Sequence, residues 1–338
     1  METVDIELVR KIFLHIDRTE KQAELLPDRQ KWNKLTSALY TLEDSSCAIE
    51  YYIETAYPAD VRGKYLFTYG LFQAIILQQD SIKSINKALF NKGIDFKEDY
   101  PDAYKARELR NDTTGHPTDR SGDKKFISLA QLSMEKYSFY YCKDDYKDSK
   151  EDSIIDVNVE KAISDTAKCV NDILKKAVDD LDKEFKEYIE KHRDRKMAEL
   201  FRGLHYAKEK VLSDYTMRDW ALKSTMEMVS KCEEELVQRY GSVEAEESYK
   251  YLLDEIHDLY VLLDEIYDIC KESQERVWHY IVELLFVKLE ELEKYCKETD
   301  EYFENYGETI IDRDNESEGI TINMVFPDVS KVDEELMK

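Results

Sequence analysis

Proline and glycine are scarce in this 338-residue chain: five prolines, at 27, 58, 101, 117 and 327, and nine glycines. Residues 118–326 contain no proline. Proline breaks helix interiors and glycine weakens them, so their scarcity leaves long helices as the main expected element. The six cysteines (47, 142, 169, 232, 270 and 296) form no CxxC pair and read as free thiols in a reducing compartment. No apolar run is long enough to span a bilayer, which takes about 18 to 20 residues. The longest, Tyr65 to Leu77, is interrupted by Thr68, Gly70 and Gln73. The acidic start Met1-Glu2-Thr3-Val4-Asp5 lacks the apolar core of a signal peptide. The expectation is a soluble cytoplasmic protein without a membrane partner. There is also no glycine-rich phosphate loop, nucleophile elbow or zinc-ligand spacing.

Positive charge is outnumbered by negative, 49 Lys and Arg against 74 Asp and Glu, but unevenly so. The net charge of −25 argues against a nucleic-acid partner. Residues 1–125, however, carry 19 Lys and Arg against 21 Asp and Glu, a net of −2. Residues 126–338 carry the remaining 30 against 53, a net of −23. The N-terminal third is therefore nearly neutral, and Arg107, Arg110, Arg120, Lys124 and Lys125 cluster within it. An ordinary mixed-charge face accounts for them as readily as a phosphate-binding surface does.

What is present is helical patterning and 42% hydrophobic residues, ample for one large or two ordinary domains. Pro27 precedes a helical pattern from about Asp28 to Ala56, with Trp32, Leu35, Leu39, Leu42 and Ile49 on one stripe. A second helix, about Ala59 to Phe90, is apolar nearly all round between Tyr65 and Leu77, which predicts a central buried helix. Asn91-Lys92-Gly93 ends it, with Gly93 suited to the left-handed position. Pro101 opens a short helix, about residues 101–113, that Gly115 and Pro117 stop. Two aromatic-rich runs, Phe126–Leu132 and Tyr137–Cys142, predict a β-hairpin near 126–142. A charged loop, Lys143 to Asp152, precedes a helix from near Asn158 to about His192.

From about residue 196 a separate helical module is expected. Leu252, Ile256, Leu259, Leu263, Ile266 and Cys270 form a coiled-coil-like seam. Trp278, Ile281, Leu285, Leu289, Leu292 and Cys296 form another, and the two fold back around Lys271 to Gln274. The tail from Gly307 is acidic and flexible in this reading, with Ile320 to Met324 alternating like a short strand.

Chemistry concentrates in Arg110-Asn111-Asp112-Thr113-Thr114-Gly115-His116-Pro117. Cleaving RNA without a metal requires a proton taken from the 2′-hydroxyl, a proton given to the 5′-oxygen, and stabilisation of the phosphorane charge. Histidine titrates near neutral pH and suits proton transfer, worth about 10² to 10⁴ in rate. Arginine offers phosphate a planar fork of donors and stays charged. Asn111 supports either without adding charge, and Asp112 orients His116 or completes the helix end. Spacing alone is not distinctive, because Arg10 and His15 nearly reproduce it. That pair lies inside a helical pattern, with Lys11 in place of the amide and no turn behind it.

Arg110-Asn111-x₄-His116 resembles the R-polar-x₃₋₅-H signature of HEPN domains, helical ribonuclease and nucleotide-binding modules common in prokaryotic toxin–antitoxin and antiviral defence systems. The likeness covers roughly residues 1–195. It implies a helical bundle acting as a metal-independent endoribonuclease without cofactor, with RNA as substrate and a homodimer bringing two motifs into one cleft. By position it implies that Arg110 polarises the phosphate, His116 is the acid–base residue and Asn111 supports them. Arg107, Arg120, Lys124 and Lys125 are then the candidate substrate-binding cations. The expected fold is mainly α: residues 1–195 a HEPN-like bundle with the β-hairpin insertion, 196–306 an acidic helical module, and 307–338 the acidic tail.

Two rivals stand beside this reading. Asp254-x-x-His257 and Glu275-x-x-x-His279 have the spacing of carboxylate–histidine metal ligands in helical bundles, although solvated helix faces explain them more simply. Some proteins with this motif have lost catalysis, so a helical interaction or regulatory module, or a partner of an antitoxin, is the alternative function.

Overall fold

The computed structural model describes residues 1–115, 125–145, 153–213, 216–269 and 275–313. The fold is mainly α with one small sheet. Acidic and amide side chains start the N-terminal helices by accepting from backbone N–H groups left unpaired in the first turn. Asp5 caps α1 (Ile6–Ile16), Asp28 caps α3 (Arg29–Glu54) and Asp60 caps α4 (Val61–Phe90). A short helix α2 (Thr19–Leu25) lies between the first two. The brief link after α3 turns α4 back so that the two long helices pack along each other.

Helix α4 ends at Phe90 as expected, but with a different residue in the left-handed position. Asn91, at φ 55°, takes the left-handed position and Gly93 does not. Asparagine tolerates that conformation, so the helix ends at Phe90 as its pattern predicts, with the left-handed residue directly after it and not at the glycine. Nor is α4 buried all round: Phe72, Ile75 and Ile82 are in the core, but Leu66 and Tyr69 are exposed. After α5 (Phe96–Asp99) comes α6 (Pro101–Arg110), opened by its proline. Its α-helical part is shorter than expected, because residues Asn111–Gly115 form a π-helical turn.

The predicted hairpin is a three-stranded antiparallel sheet, ordered β1 (Lys125–Leu129), β2 (Ser138–Asp145) and β3 (Ser153–Asn158). Ser128 pairs with Cys142, and Phe139 with Val157. Alternation orients the sheet: Phe139, Tyr141 and Val157 are buried, whereas Tyr140 and Ile154 face out. The third strand escaped sequence reading because Ile154-Ile155-Asp156-Val157 is brief and runs straight into a helix. Asn158, its last residue, caps α7 (Val159–Arg193) by accepting from the Lys161 N–H at 2.8 Å.

Helices α1, α3, α4 and α7 enclose one core around Ile12, Leu39, Leu42, Ile85, Val170 and Leu174. A second, with Ile49, Phe72, Ala106, Phe139 and Ile163, seats the sheet and α6 against α3, α4 and the start of α7. Each such large apolar side chain stabilises the fold by about 1.5–3 kcal/mol. The remaining helices, α8 (Leu204–Ser213), α9 (Arg218–Tyr240), α10 (Glu247–Ile269) and α11 (Glu275–Arg313), share a core of their own. Leu252, Ile256, Leu259 and Leu263 face Trp278, Leu285, Leu289 and Leu292 within it, while Ile266 and Ile281 are only partly buried. Helix α11 continues beyond Gly307 to Arg313, further than expected. Cys270, the link Lys271 to Gln274 and the segment Ile320 to Met324 lie outside the described residues.

Candidate active site

Helix α6 reaches α4 closely because its inward residues, Ala103 and Ala106, are small. Gln79 of α4 fixes that approach. Its side-chain N–H groups donate to the Ala103 carbonyl at 2.8 Å and to Thr166 Oγ1 of α7 at 3.3 Å. The same amide's oxygen accepts from Arg107 Nε at 3.1 Å. Arg107 also pairs with Asp80 at 2.5 Å, so its charge is neutralised within the fold.

Among the described residues, Arg110, one turn on, is held by neutral groups only. Its Nη2 donates to Gln73 Oε1 of α4 at 3.0 Å, and its Nη1 donates to Asn111 Oδ1 at 3.2 Å. Among the described residues no carboxylate pairs with it. Two of five guanidinium N–H donors are thus used by amide oxygens, which orient the fork without cancelling its charge.

The π-helical turn follows at once. Widening a helix by one residue frees carbonyls from the regular ladder, and hydroxyls take them up here. Thr113 donates to the Leu109 carbonyl at 2.7 Å and Thr114 to the Arg110 carbonyl at 3.2 Å. Asp112 is 5% exposed and faces Lys143 of β2 at 3.5 Å. That ion pair ties the turn to the sheet, a role the sequence did not suggest for either residue.

The structure therefore brings together Arg107, Arg110 and Asn111. His116, Arg120 and Lys124 lie outside the described residues, and Lys125 is placed only as the first backbone position of β1. Gln73, Gln79, Asp80 and Lys143 were missed. The available signal was Gln73 itself, a polar break in an otherwise apolar stretch.

Three of the other histidines, His15, His257 and His279, have carboxylate partners. Arg10 pairs with Glu7, while His15 is buried and bonds Asp182 through Nε2 at 2.8 Å. His257 bonds Glu233 at 2.8 Å, and His279 lies 3.8 Å from Glu283. No group of three or more potential metal-ligating side chains occurs among the described residues. No helix among them is long and apolar enough to cross a membrane. No family model matches the chain, and neither does any curated protein or solved structure.

Proposed function

We propose that this chain is a metal-independent endoribonuclease of the HEPN type, a defence or toxin effector that works as a homodimer on RNA. The observation that carries the reading is Arg110: a cation at the last residue of α6, oriented by two amides and neutralised by no described carboxylate. It stands one π-helical turn before His116 in the chain. An arginine fixed in this way is suited to an anion that arrives from outside the fold.

In the proposed reaction the 2′-oxygen attacks phosphorus as His116 takes its proton. The P–O5′ bond then breaks, and the leaving oxygen receives a proton from the His116 of the second copy. Arg110 stabilises the charge on the phosphorane, a contribution of roughly 3–4 kcal/mol for a preorganised donor. Arg107, bound to Asp80, braces the helix that carries Arg110. Arg120, Lys124 and Lys125 are assigned to the RNA backbone.

A second reading, a helical interaction module that regulates or binds an antitoxin-like partner, has its own observation. Val277, Tyr280, Leu284 and Val287 recur at heptad spacing on α11 and are all about half-exposed or more. The two readings separate on purified protein incubated with single-stranded RNA in EDTA. The nuclease reading expects cutting that Arg110→Ala and His116→Ala each abolish while circular dichroism stays unchanged. Cutting retained in both variants rules out the assigned site, and no cutting of any RNA favours the interaction module.

A further inference from the structure

Helix α4 is basic in an acidic chain. Its 30 residues hold four Lys and Arg against one acid, Asp80, and residues 61–79 hold no acid at all. At the chain's average of 74 acids in 338 residues, a helix of that length would carry about seven. Asp80 is itself taken by Arg107. Arg62, Leu66, Tyr69, Gln73, Asp80 and Lys83 are all exposed and recur at steps of three, four or seven residues, which sets them on one face.

That face runs past Arg110. Gln73, in its middle, accepts from Arg110 Nη2 at 3.0 Å. Tyr69 stands one turn before Gln73 and is 42% exposed, beside Leu66 at 72%. Tyr65 braces the Tyr69 ring edge-on, with centroids 6.0 Å apart. Arg62 stands at one end of the face, almost wholly exposed and 3.7 Å from the Asp60 carboxylate, and Lys83 is exposed at the other. By helix rise the two ends are about 30 Å apart. Cations at both ends and in the middle, an aromatic ring between them, and a single acid already paired suit a nucleic-acid strand. Phosphates meet the cations, and an unstacked base lies on the ring. A duplex RNA keeps its bases stacked inside, and its deep groove admits no side chain to reach them.

We infer that the outer face of α4 is a track for single-stranded RNA, leading the strand past Arg110 with one base stacked on Tyr69 and phosphates at Arg62 and Lys83. The inference rests on RNA as the ligand of the Arg110 site, and it adds the form of that RNA and the residues that hold it. A strongly acidic chain repels RNA at long range, so an acid-free face is where contact forms.

Fluorescence anisotropy of the full chain with a labelled single-stranded oligonucleotide, 2′-O-methylated so that no 2′-hydroxyl can attack, reads binding apart from cutting. Saturable binding is expected. Tyr69→Ala should weaken it by about tenfold, the scale of one base on an aromatic ring, and Tyr69→Trp should keep it. Lys83→Gln should weaken it by about threefold, as for an exposed charge, and lower the slope of log affinity against log salt by about 0.7, as for one single-strand phosphate. The same oligonucleotide annealed to its complement should not respond to Tyr69→Ala, and light scattering should give every variant the mass of the unaltered chain. No saturable binding, or affinity that ignores both Tyr69→Ala and Lys83→Gln, overturns the inference. So does a Tyr69→Ala chain of lower mass and unchanged affinity, which would assign the face to a second copy. Cutting is read separately on unmodified RNA. Its absence beside Tyr69-dependent binding removes the nuclease reading and keeps the track, whereas cutting beside Tyr69-independent binding does the reverse.

Discussion

Arg107 and Arg110 show how one turn of helix separates a structural arginine from a functional candidate. Both face α4, yet Arg107 meets Asp80 and Arg110 meets Gln73. With an amide in place of a carboxylate, the second charge has no carboxylate partner among the described residues, as the proposed phosphate contact requires. His192 makes a testable case at the same scale. Burial, then Arg239 and Lys191, hold its pKa below the ordinary 6.5, against an opposing pull from Glu235. Above pH 6.5 the ring is neutral folded or unfolded and contributes no pH dependence. As pH falls below that value the unfolded chain takes the proton first, so stability is lost until the folded pKa is passed. His15, also lowered, acts in the same direction, whereas Asp17, Glu20 and Glu43, whose carboxyls are raised, act oppositely. The comparison that isolates His192 is therefore with His192→Phe, which keeps an aromatic ring between Tyr188 and Phe303. From pH 7.5 to 5.5 the melting temperature of the unaltered chain should fall relative to that of the variant. A constant difference between them would remove His192 as a titrating contributor.

Among the elements, those with sequence punctuation were the legible ones. Pro27 and Pro101 mark two helix starts, Pro58 falls in the break between α3 and α4, and the seams of α10 and α11 give their packing faces. By sequence the turn after Arg110 is a plain helix stop, because a π-helical turn has no residue code. It depends on Thr113 and Thr114 folding back and on Asp112 reaching Lys143, a residue of the sheet. Gln79 and Asp80 were likewise invisible as partners of Arg107 until α4 and α6 lay side by side. The start of α4 offers a sharper test of element-level packing. A Cβ at Gly63 would stand 2.6 Å from Pro58 Cβ and 2.8 Å from Asp60 Oδ2, whereas one at Gly70 meets nothing within 4 Å. Pro58 is rigid and Asp60 is the helix cap, so neither yields cheaply. Gly63→Ala should cost on the order of 1 kcal/mol net, its clash outweighing the gain in helix propensity. Gly70→Ala should gain up to about 1 kcal/mol. Urea unfolding reads both, and equal effects of one sign would refute the packing described at Pro58.

Over the whole molecule, two helical cores meet through α7 and α11. Asp300 of α11 accepts from the Met197 and Ala198 N–H groups at 2.9 Å, just past the end of α7. Thr19 of α2 reaches Glu246, before α10, at 2.7 Å. At this division, residues 1–195 carry 32 Lys and Arg against 38 Asp and Glu, a net of −6, and residues 196–338 carry 17 against 36, a net of −19. A chain of strongly negative net charge gains no long-range attraction for RNA, so local cations must supply the affinity. The central claim, that Arg110 and His116 cut RNA by 2′-oxygen attack without a metal, is tested most directly by the chemistry of the product ends. Mass spectrometry of a defined single-stranded RNA, incubated with the purified chain in EDTA, should show 2′,3′-cyclic phosphate on the upstream fragment and a 5′-hydroxyl on the downstream one. Fragments ending in 3′-hydroxyl and 5′-phosphate, or cutting that stops when EDTA is added, would contradict it.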